Sequence, residues 1–127
     1  MPRDPRDLLP LKPLVFEILL LLAEDDRHGW RLVRDLQQRT GGRRLLPGNF
    51  YRLLRSIIDE GLVAAQEPTR TMRSQGVEET GGNAERRRYF GLTPFGRRVA
   101  RAEAGRLAQL VAESRRKQLL SSSRAGR

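Results

Sequence analysis

The sequence predicts one mainly α-helical domain with a small β-hairpin. Four segments repeat apolar residues at the three- and four-residue spacing of a helix face. Two short segments of β-forming residues enclose a long polar stretch between the third and the fourth helix. The chain has 127 residues, a length that suits a single domain, and its strongly apolar run from Leu14 to Ala23 is too short to cross a bilayer. We therefore expect one packed core and no membrane partner.

The first helix is predicted over residues 11–24 and the second over about 27–40. Three prolines among residues 1–10 oppose regular structure, so this segment is expected to be a flexible arm. Asp25 and Asp26 provide carboxylates at the start of the second helix, and a threonine followed by two glycines ends it.

The third helix is predicted over about residues 47–60. Pro47 suits a first helical turn, and Gly61 stops the pattern. The apolar stripe consists of Phe50, Leu53, Leu54, Ile57 and Ile58. That stripe leaves hydrogen-bonding and charged side chains on the other faces, namely Asn49, Arg52, Arg55, Ser56 and Asp59. The outer side of this helix could therefore enter a groove of nucleic acid.

The two strands of the hairpin are predicted at residues 62–65 and 87–92. Between them, residues 68–85 are rich in glycine, threonine, serine and glutamate, which predicts a flexible loop at the tip of the hairpin. Helices one to three and the hairpin together make a domain over residues 11–93.

The fourth helix is predicted from Pro94 to about residue 117, within a segment assigned as 94–120. Thr93 supplies a capping hydroxyl and Pro94 suits the first turn. Its apolar stripe consists of Ala100, Ala104, Leu107, Ala108 and Val111. This stripe extends beyond the reach of a three-helix core, so its distal part predicts a second copy of the chain as partner. Residues 121–127 are expected to be a disordered tail.

The charge of the chain predicts a polyanionic partner. There are 25 Lys and Arg residues against 15 Asp and Glu, only two of the cations are lysines, and the net charge is +10. The excess is concentrated in residues 68–127, whose net charge is +9, whereas residues 1–67 carry +1. Arginine forks match phosphate and guanine, so nucleic acid is the first partner to consider.

The residue types argue against catalysis. The chain has no cysteine and a single histidine, which removes thiolate metal sites and most nucleophile–base pairs. No paired carboxylates or metal-binding cluster stands out, so the sequence predicts no enzyme, no metal and no cofactor. The absence of cysteine also favours a reducing compartment, with the cytoplasm as the default.

The order helix, helix, helix, hairpin, long helix is that of a winged helix-turn-helix with a C-terminal extension for dimerisation. Short motifs agree with this order: His28-Gly29-Trp30, Pro47-Gly48-Asn49-Phe50-Tyr51, Asp59-Glu60-Gly61-Leu62-Val63, Arg88-Tyr89-Phe90-Gly91-Leu92-Thr93 and Gly96-Arg97. Together they resemble the PadR family of bacterial transcriptional repressors over about residues 11–111. The resemblance implies a homodimeric, sequence-specific DNA-binding regulator that occupies a pseudo-palindromic operator.

The predicted DNA contacts fall into two groups. Recognition-helix contacts are predicted for Asn49, Tyr51, Arg52 and Arg55, because asparagine pairs with adenine and arginine with guanine in the major groove. Tyr51 could instead be half-buried against the second helix. Phosphate contacts are predicted in the turn before the recognition helix and in the wing, at Arg43, Arg44, Arg86, Arg87 and Arg88. The alternative for the wing arginines is a run of charge that discourages edge pairing.

Two aromatic positions have alternative roles. His28 could be a pH switch or a ligand, but a lone histidine at a helix start is more often partly buried. Trp30 could line a pocket for a small-molecule effector, since PadR relatives include members that respond to such ligands, but an aromatic residue at a helix-packing position is more often part of the core.

The main functional prediction is therefore a DNA-binding regulator, and the alternative is a basic RNA- or nucleoid-binding protein without sequence specificity.

Overall fold

The computed structural model describes residues 3–39, 47–66 and 88–121. The elements, in chain order, are a 3-10 helix (Pro5–Leu8), α1 (Pro13–Glu24), β1 (Arg27–His28), α2 (Gly29–Arg39), α3 (Pro47–Asp59), β2 (Val63–Gln66), β3 (Tyr89–Leu92) and α4 (Pro94–Arg116). The mainly helical fold with a long C-terminal helix is confirmed, and the described residues contain the four predicted α-helices. Each helix begins and ends within two residues of the predicted helix, although the segment assigned to the fourth helix extended to residue 120. The predicted wing loop, 68–85, lies outside the described residues, as does all of the predicted tail except Ser121.

Helix α1 is the centre of the core. Its buried residues are Val15, Ile18, Leu19, Leu21 and Leu22, which pack against side chains from α2, α3, the sheet and α4. Leu32, Leu36, Phe50 and Val99 are fully buried in the same cluster. Each such side chain contributes about 1.5–3 kcal/mol by leaving water, so this cluster is the main stabilising term of the fold.

The sheet has three antiparallel strands in the order β1-β3-β2, one more than the predicted hairpin. Val63 pairs with Leu92 and Gln66 with Tyr89, while His28 pairs with Tyr89 from the other side. Strand β1 has only two residues, which is too short for the alternation that reveals a strand in sequence. The Gly29 amide donates to the Arg88 carbonyl at 3.1 Å, so the wing strand is attached to the start of α2.

The aspartates before α2 bind side chains of the sheet strands. Asp25 accepts a hydrogen bond from Arg27 at 2.9 Å, and Asp26 accepts one from Gln66 at 2.5 Å. Both contacts hold the loop after α1 against the sheet.

The junction between β3 and α4 is fixed by the Thr93 side chain, which caps α4, and by close packing of Gly96 against the backbone at Leu62. The Thr93 hydroxyl accepts the Gly96 amide at 2.8 Å and donates to the Gly61 carbonyl at 2.6 Å, so the predicted cap also binds the end of α3. Gly61 has a φ of +84°, a conformation that favours glycine and that turns the chain from α3 into β2. A Cβ at Gly96 would overlap the Leu62 carbonyl oxygen, so α4 reaches this distance only with glycine.

The prediction that no regular structure precedes Leu11 is wrong at Pro5–Leu8, which form a 3-10 helix. The Asp4 carboxylate caps this turn by accepting the Arg6 amide at 2.9 Å, and Pro5 stands at the first position, where its missing N–H costs nothing. Leu8 and Leu9 then pack against the core, which stabilises the segment through apolar contacts.

Among the described residues, no helix combines the length and the apolar character that a membrane span requires.

Candidate nucleic-acid interface

Helix α3 separates a buried apolar face from an exposed polar face. Phe50, Leu54 and Ile57 are at most 3% exposed and anchor the helix to the core. At about 100° per residue, the exposed residues share one side of the helix. These are Gly48, Asn49, Arg52, Arg55, Ser56 and Asp59. The structure thus brings three of the predicted base-contact residues, Asn49, Arg52 and Arg55, to one open surface.

The fourth predicted contact, Tyr51, stands at the border of that surface. Its side chain is half-buried and packs against the core. Its ring meets the Phe50 ring edge-on, with centroids 5.0 Å apart and an interplanar angle of 79°. Tyr51 therefore supports α3 through packing. The alternative given from the sequence, a half-buried Tyr51, agrees with this position, and the ring contact described here is with Phe50.

Of the five arginines predicted to contact phosphate, the structure describes only Arg88. Arg43, Arg44, Arg86 and Arg87 lie outside the described residues. Arg88 is exposed and directly precedes β3, with its carbonyl bound by the Gly29 amide. The backbone at Arg88 is therefore held at the junction of the wing with α2.

A buried arginine that sequence reasoning missed joins α1, β1 and α2. Arg27 is 4% exposed and binds three carboxylates. Its guanidinium lies 2.6 Å from Glu24, 2.9 Å from Asp25 and 3.1 Å from Asp35. Glu24 and Asp25 are 72% and 57% exposed, whereas Asp35 is 17% exposed, so the buried guanidinium is compensated by three carboxylates of which two remain in contact with water. No periodic pattern marks this cluster, because its members come from a helix end, a loop, a strand and the next helix.

Two exposed arginines of α2, Arg31 and Arg34, form ion pairs with Asp35 of the same helix. Arg31 and Arg34 lie 3.4 Å and 3.3 Å from the Asp35 carboxylate. The Arg34 guanidinium also lies 5.3 Å from the centre of the Trp30 ring. Both arginines are at least 39% exposed, so α2 adds oriented cations to the surface of the helix-turn-helix unit.

His28 lies inside the fold, in β1 immediately before α2. It is 3% exposed, and its ring meets the Tyr89 ring at 3.9 Å and 78°. Burial lowers the pKa of His28, and the nearby charge of Arg31 lowers it further. Within the described residues, no group of three or more acidic, histidine or cysteine side chains has the arrangement to hold a metal ion. His28 is therefore placed as a packed residue of the sheet edge.

Trp30 is half-buried at the start of α2, between His28 and Arg34. Its indole N–H is buried, and no hydrogen-bond partner for it is found among the described residues. Trp30 lines neither of the cavities described here, one between the N-terminal segment and α3 and one between α1 and α4. The effector pocket at Trp30 stays a prediction.

Helix α4 changes character halfway along its length. Gly96, Val99 and Glu103 are buried, and Ala100 packs against the core. Of the predicted dimerisation residues, Leu107 is half-buried, whereas Ala104, Ala108 and Val111 are exposed. Leu110 beside them is 46% exposed. The distal half thus presents apolar side chains that the described part of the chain leaves exposed.

Glu103 is a buried carboxylate on α4 that the sequence analysis missed. It is 2% exposed, accepts the Leu11 amide at 3.1 Å and is bound by two nitrogens of Arg106 at 2.6 Å and 2.9 Å. The hydrogen bonds from Arg106 lower the pKa of Glu103 against the opposing effect of burial. The carboxylate thereby connects α4 to the segment that precedes α1.

An open cavity of about 420 Å³ lies between α1 and α4. Its apolar lining is Leu11, Pro13, Phe16, Leu20 and Leu107. Two ion pairs border it, Glu17 with Arg39 at 3.4 Å and Glu103 with Arg106 at 2.6 Å. Leu20 in this lining is 38% exposed, so the apolar surface of distal α4 continues onto α1.

The sequence matches the model of the "Transcriptional regulator PadR-like family" over residues 18–102, well over half of the chain. The chain belongs to this family of transcriptional regulators. Family membership confirms the predicted winged-helix fold, the role as a DNA-binding transcription regulator and the prediction that this is not an enzyme.

Solved structures of PadR-like and other regulators share the fold. A PadR family transcription regulator from Clostridium difficile R20291 has a TM-score of 0.61 and 18% identity, covering 83% of this chain and 97% of its own. A transcriptional regulator from Clostridium thermocellum has a TM-score of 0.59 and 18% identity, covering 84% and 90%. A PadR family regulator from Eggerthella lenta has a TM-score of 0.52 and 22% identity, covering 93% and 87%. A search of curated proteins found no match.

Proposed function

We propose that this PadR-like protein is a sequence-specific repressor that binds a pseudo-palindromic operator as a homodimer. The observation that carries the proposal is the open face of α3, where Asn49, Arg52 and Arg55 are exposed opposite a buried apolar face. Asparagine and arginine are the side chains that pair bidentately with adenine and guanine in the major groove. A helix anchored along its opposite side can present them without losing its own packing.

Phosphate contacts would hold this helix in register on the duplex. Arg31 and Arg34 on α2, Arg88 at the base of the wing, and the predicted arginines at 43, 44, 86 and 87 are the candidates. Such contacts supply affinity that depends on salt and carry no sequence information of their own.

The homodimer rests on the uncovered surface of α4 and α1. Leu110, Val111 and Leu20 are exposed. Leu20 also lines the open cavity between α1 and α4, together with Leu107 of α4. The second copy is the occupant that fits best, because a two-fold axis brings the apolar half of each α4 to the same surface of its partner. A dimer would present two recognition helices to successive major grooves, about 34 Å apart.

The family resemblance supports repression and a small-molecule effector, and the absence of cysteine supports the cytoplasm as the compartment. A dimer on an operator excludes polymerase from an overlapping promoter, which is the simplest form of repression. A small-molecule effector would release the DNA by favouring another arrangement of the dimer. We place the regulator in the cytoplasm of a bacterial cell, in contact with chromosomal DNA.

A competition between duplexes tests sequence-specific binding. Duplexes enriched from a random pool by the protein supply the specific sequence, and a scrambled duplex of the same composition is the control. We expect much tighter binding to the enriched duplex and a steep fall of log affinity with log salt concentration. Equal affinities would support the alternative, a basic RNA- or nucleoid-binding protein, and a flat salt dependence would contradict phosphate contacts altogether.

A further inference from the structure

We propose that Gly48 is a point of close approach between the recognition helix and DNA, where the absence of a side chain is a requirement of the complex. This inference rests on the proposed DNA-binding role of α3. In the sequence analysis Gly48 is only part of a motif and has no assigned role, because the predicted contacts are all side chains that could form hydrogen bonds.

Gly48 lies on the proposed DNA-binding face. It is exposed, and at about 100° per residue it falls between Arg52 and Arg55 around the helix. Position 48 lies one turn before Arg52 on the same side of α3, so a duplex that runs along this side comes close to position 48 as well.

The described fold gives no internal reason for glycine at this position. A Cβ built at Gly48 has no atom of the described residues within 4 Å. The backbone there is part of α3 and does not adopt the positive φ that restricts Gly61. Gly96 shows the opposite case, since a Cβ there would overlap the Leu62 carbonyl oxygen. As far as the described residues are concerned, position 48 can therefore hold a side chain without a clash or backbone strain.

Glycine in a helix also carries a cost. It loses more backbone freedom on folding than any other residue and is a poorer helix former than alanine or leucine. A destabilising residue on an open surface needs a reason outside the free protein, and close approach of another molecule's backbone is a recurrent use of glycine. On this face of α3 the molecule is DNA.

Substitutions at position 48 separate the free protein from the complex. Gly48→Ala and Gly48→Leu should both raise the Tm, because both residues are better helix formers than glycine. Affinity for the enriched duplex should fall by about tenfold or more for alanine, and further for leucine, because added atoms overpack a close contact. Thermal unfolding and fluorescence-anisotropy titration with the enriched duplex measure the two effects.

Gly105→Ala is the matched control. Gly105 lies in α4, is exposed and likewise has no described atom within 4 Å of a built Cβ. We expect the same direction of change in Tm and an unchanged affinity for DNA. A lower affinity for Gly48→Ala with an unchanged affinity for Gly105→Ala would support the proposal.

Two results would overturn it. If Gly48→Ala and Gly48→Leu bind DNA as tightly as the natural chain, position 48 makes no close approach. If they lower the Tm, the glycine serves the free protein. Arg52→Ala separates failure of this inference from failure of the proposed function: if that variant binds more weakly while Gly48→Leu does not, only the close approach is wrong, and if neither changes binding, α3 is not the DNA-contacting helix.

Discussion

Helices α3 and α4 each have one side on the core and one open side, but the open sides differ in chemistry. The open side of α3 is polar and cationic, with Asn49, Arg52, Arg55, Ser56 and Asp59. The open side of distal α4 is apolar, with Ala104, Ala108, Leu110 and Val111. A polar cationic face suits a polyanion, whereas an apolar face suits another protein surface. Two helices of one small fold are thus suited to two kinds of partner.

The difference also has an energetic side. The exposed cations of α3 are in contact with water in the free protein, so the absence of DNA costs them little free energy. The exposed apolar groups of α4 lower the solubility of a lone protomer until they are covered. We therefore expect the α4 surface to be occupied permanently and the α3 surface to be occupied reversibly.

The largest expected effect comes from placing charge on the open side of α4. The double substitution Ala104→Glu with Val111→Glu should give a monomer whose operator affinity falls by on the order of a hundredfold, because two linked half-sites no longer reinforce each other. Sedimentation and operator titration measure both properties.

The control for this change carries the same charges on another side of α4. Gln109→Glu with Ala112→Glu alters two exposed positions away from the predicted stripe and should leave the dimer intact. The dimer argument fails if the natural chain is monomeric, or if both double variants behave alike.

The next effect concerns the open side of α3. Arg52→Ala should weaken binding to the enriched duplex by about tenfold and reduce discrimination against the scrambled duplex, as expected for loss of a base contact. Arg88→Ala should weaken both complexes about equally, since a phosphate contact carries no sequence information. Arg116→Ala, an exposed arginine in the last turn of α4, controls for net charge. A change of sequence preference in Arg88→Ala alone would reverse the two roles.

The next prediction concerns His28 in the sheet and the dependence of the free energy of unfolding on pH. The pKa of His28 is lowered in the folded chain by burial and then by Arg31, so the unfolded chain takes up the proton first as the pH falls. The free energy of unfolding should therefore decrease as the pH falls below about 6.5, until the folded histidine is also protonated. Denaturant unfolding at a series of pH values measures this loss.

The control for the pH effect is His28→Gln, which removes the chain's single histidine. The pKa values of Asp4 and Glu103 are lowered, so their own losses of stability begin only in the ordinary carboxyl range, below the histidine range, and continue as the pH falls through the lowered values. An equal decrease between pH 7 and pH 5 in the variant would contradict the assignment to His28.

The smallest effect comes from the contact that connects the end of α3 with the start of α4. Arg3 donates to the Glu60 carbonyl at 2.8 Å and lies 4.9 Å from the centre of the Phe95 ring. Because the ion pair with Glu60 is about half exposed, Arg3→Ala should cost at most about 1 kcal/mol of unfolding free energy.

Arg6→Ala is the comparison for this prediction, because Arg6 forms its ion pair with Asp4 of the same short segment. It should leave stability without measurable change by denaturant unfolding. If both variants lose the same stability, the contact of Arg3 with α3 and α4 contributes nothing specific.

Much of this fold could be predicted because its signals are local. Thr93 and Pro94 mark the start of α4 within four residues of chain, and the stripe from Phe50 to Ile58 orients α3 by its own periodicity. The outward position of Arg52 and Arg55 follows from that stripe alone. The periodicity of α3 does not predict the environment of Tyr51. This residue lies between the buried and the exposed face, so its burial depends on which side chains of the folded protein pack against it.

The sequence by itself determined the four helices, the side of α3 that faces outward, the apolar distal half of α4 and the excess of arginine, since each depends on residues a few positions apart. Only the tertiary structure decided the third strand, the three carboxylates around Arg27, the buried contact of Leu11 with Glu103 and the open space at Gly48. Leu11 and Glu103 are 92 positions apart in the chain. The contacts of Arg27 span at most eight positions, but they join a helix end, a loop, a strand and the next helix. Local propensity carries no information about which distant groups meet, because packing of the whole core sets those distances.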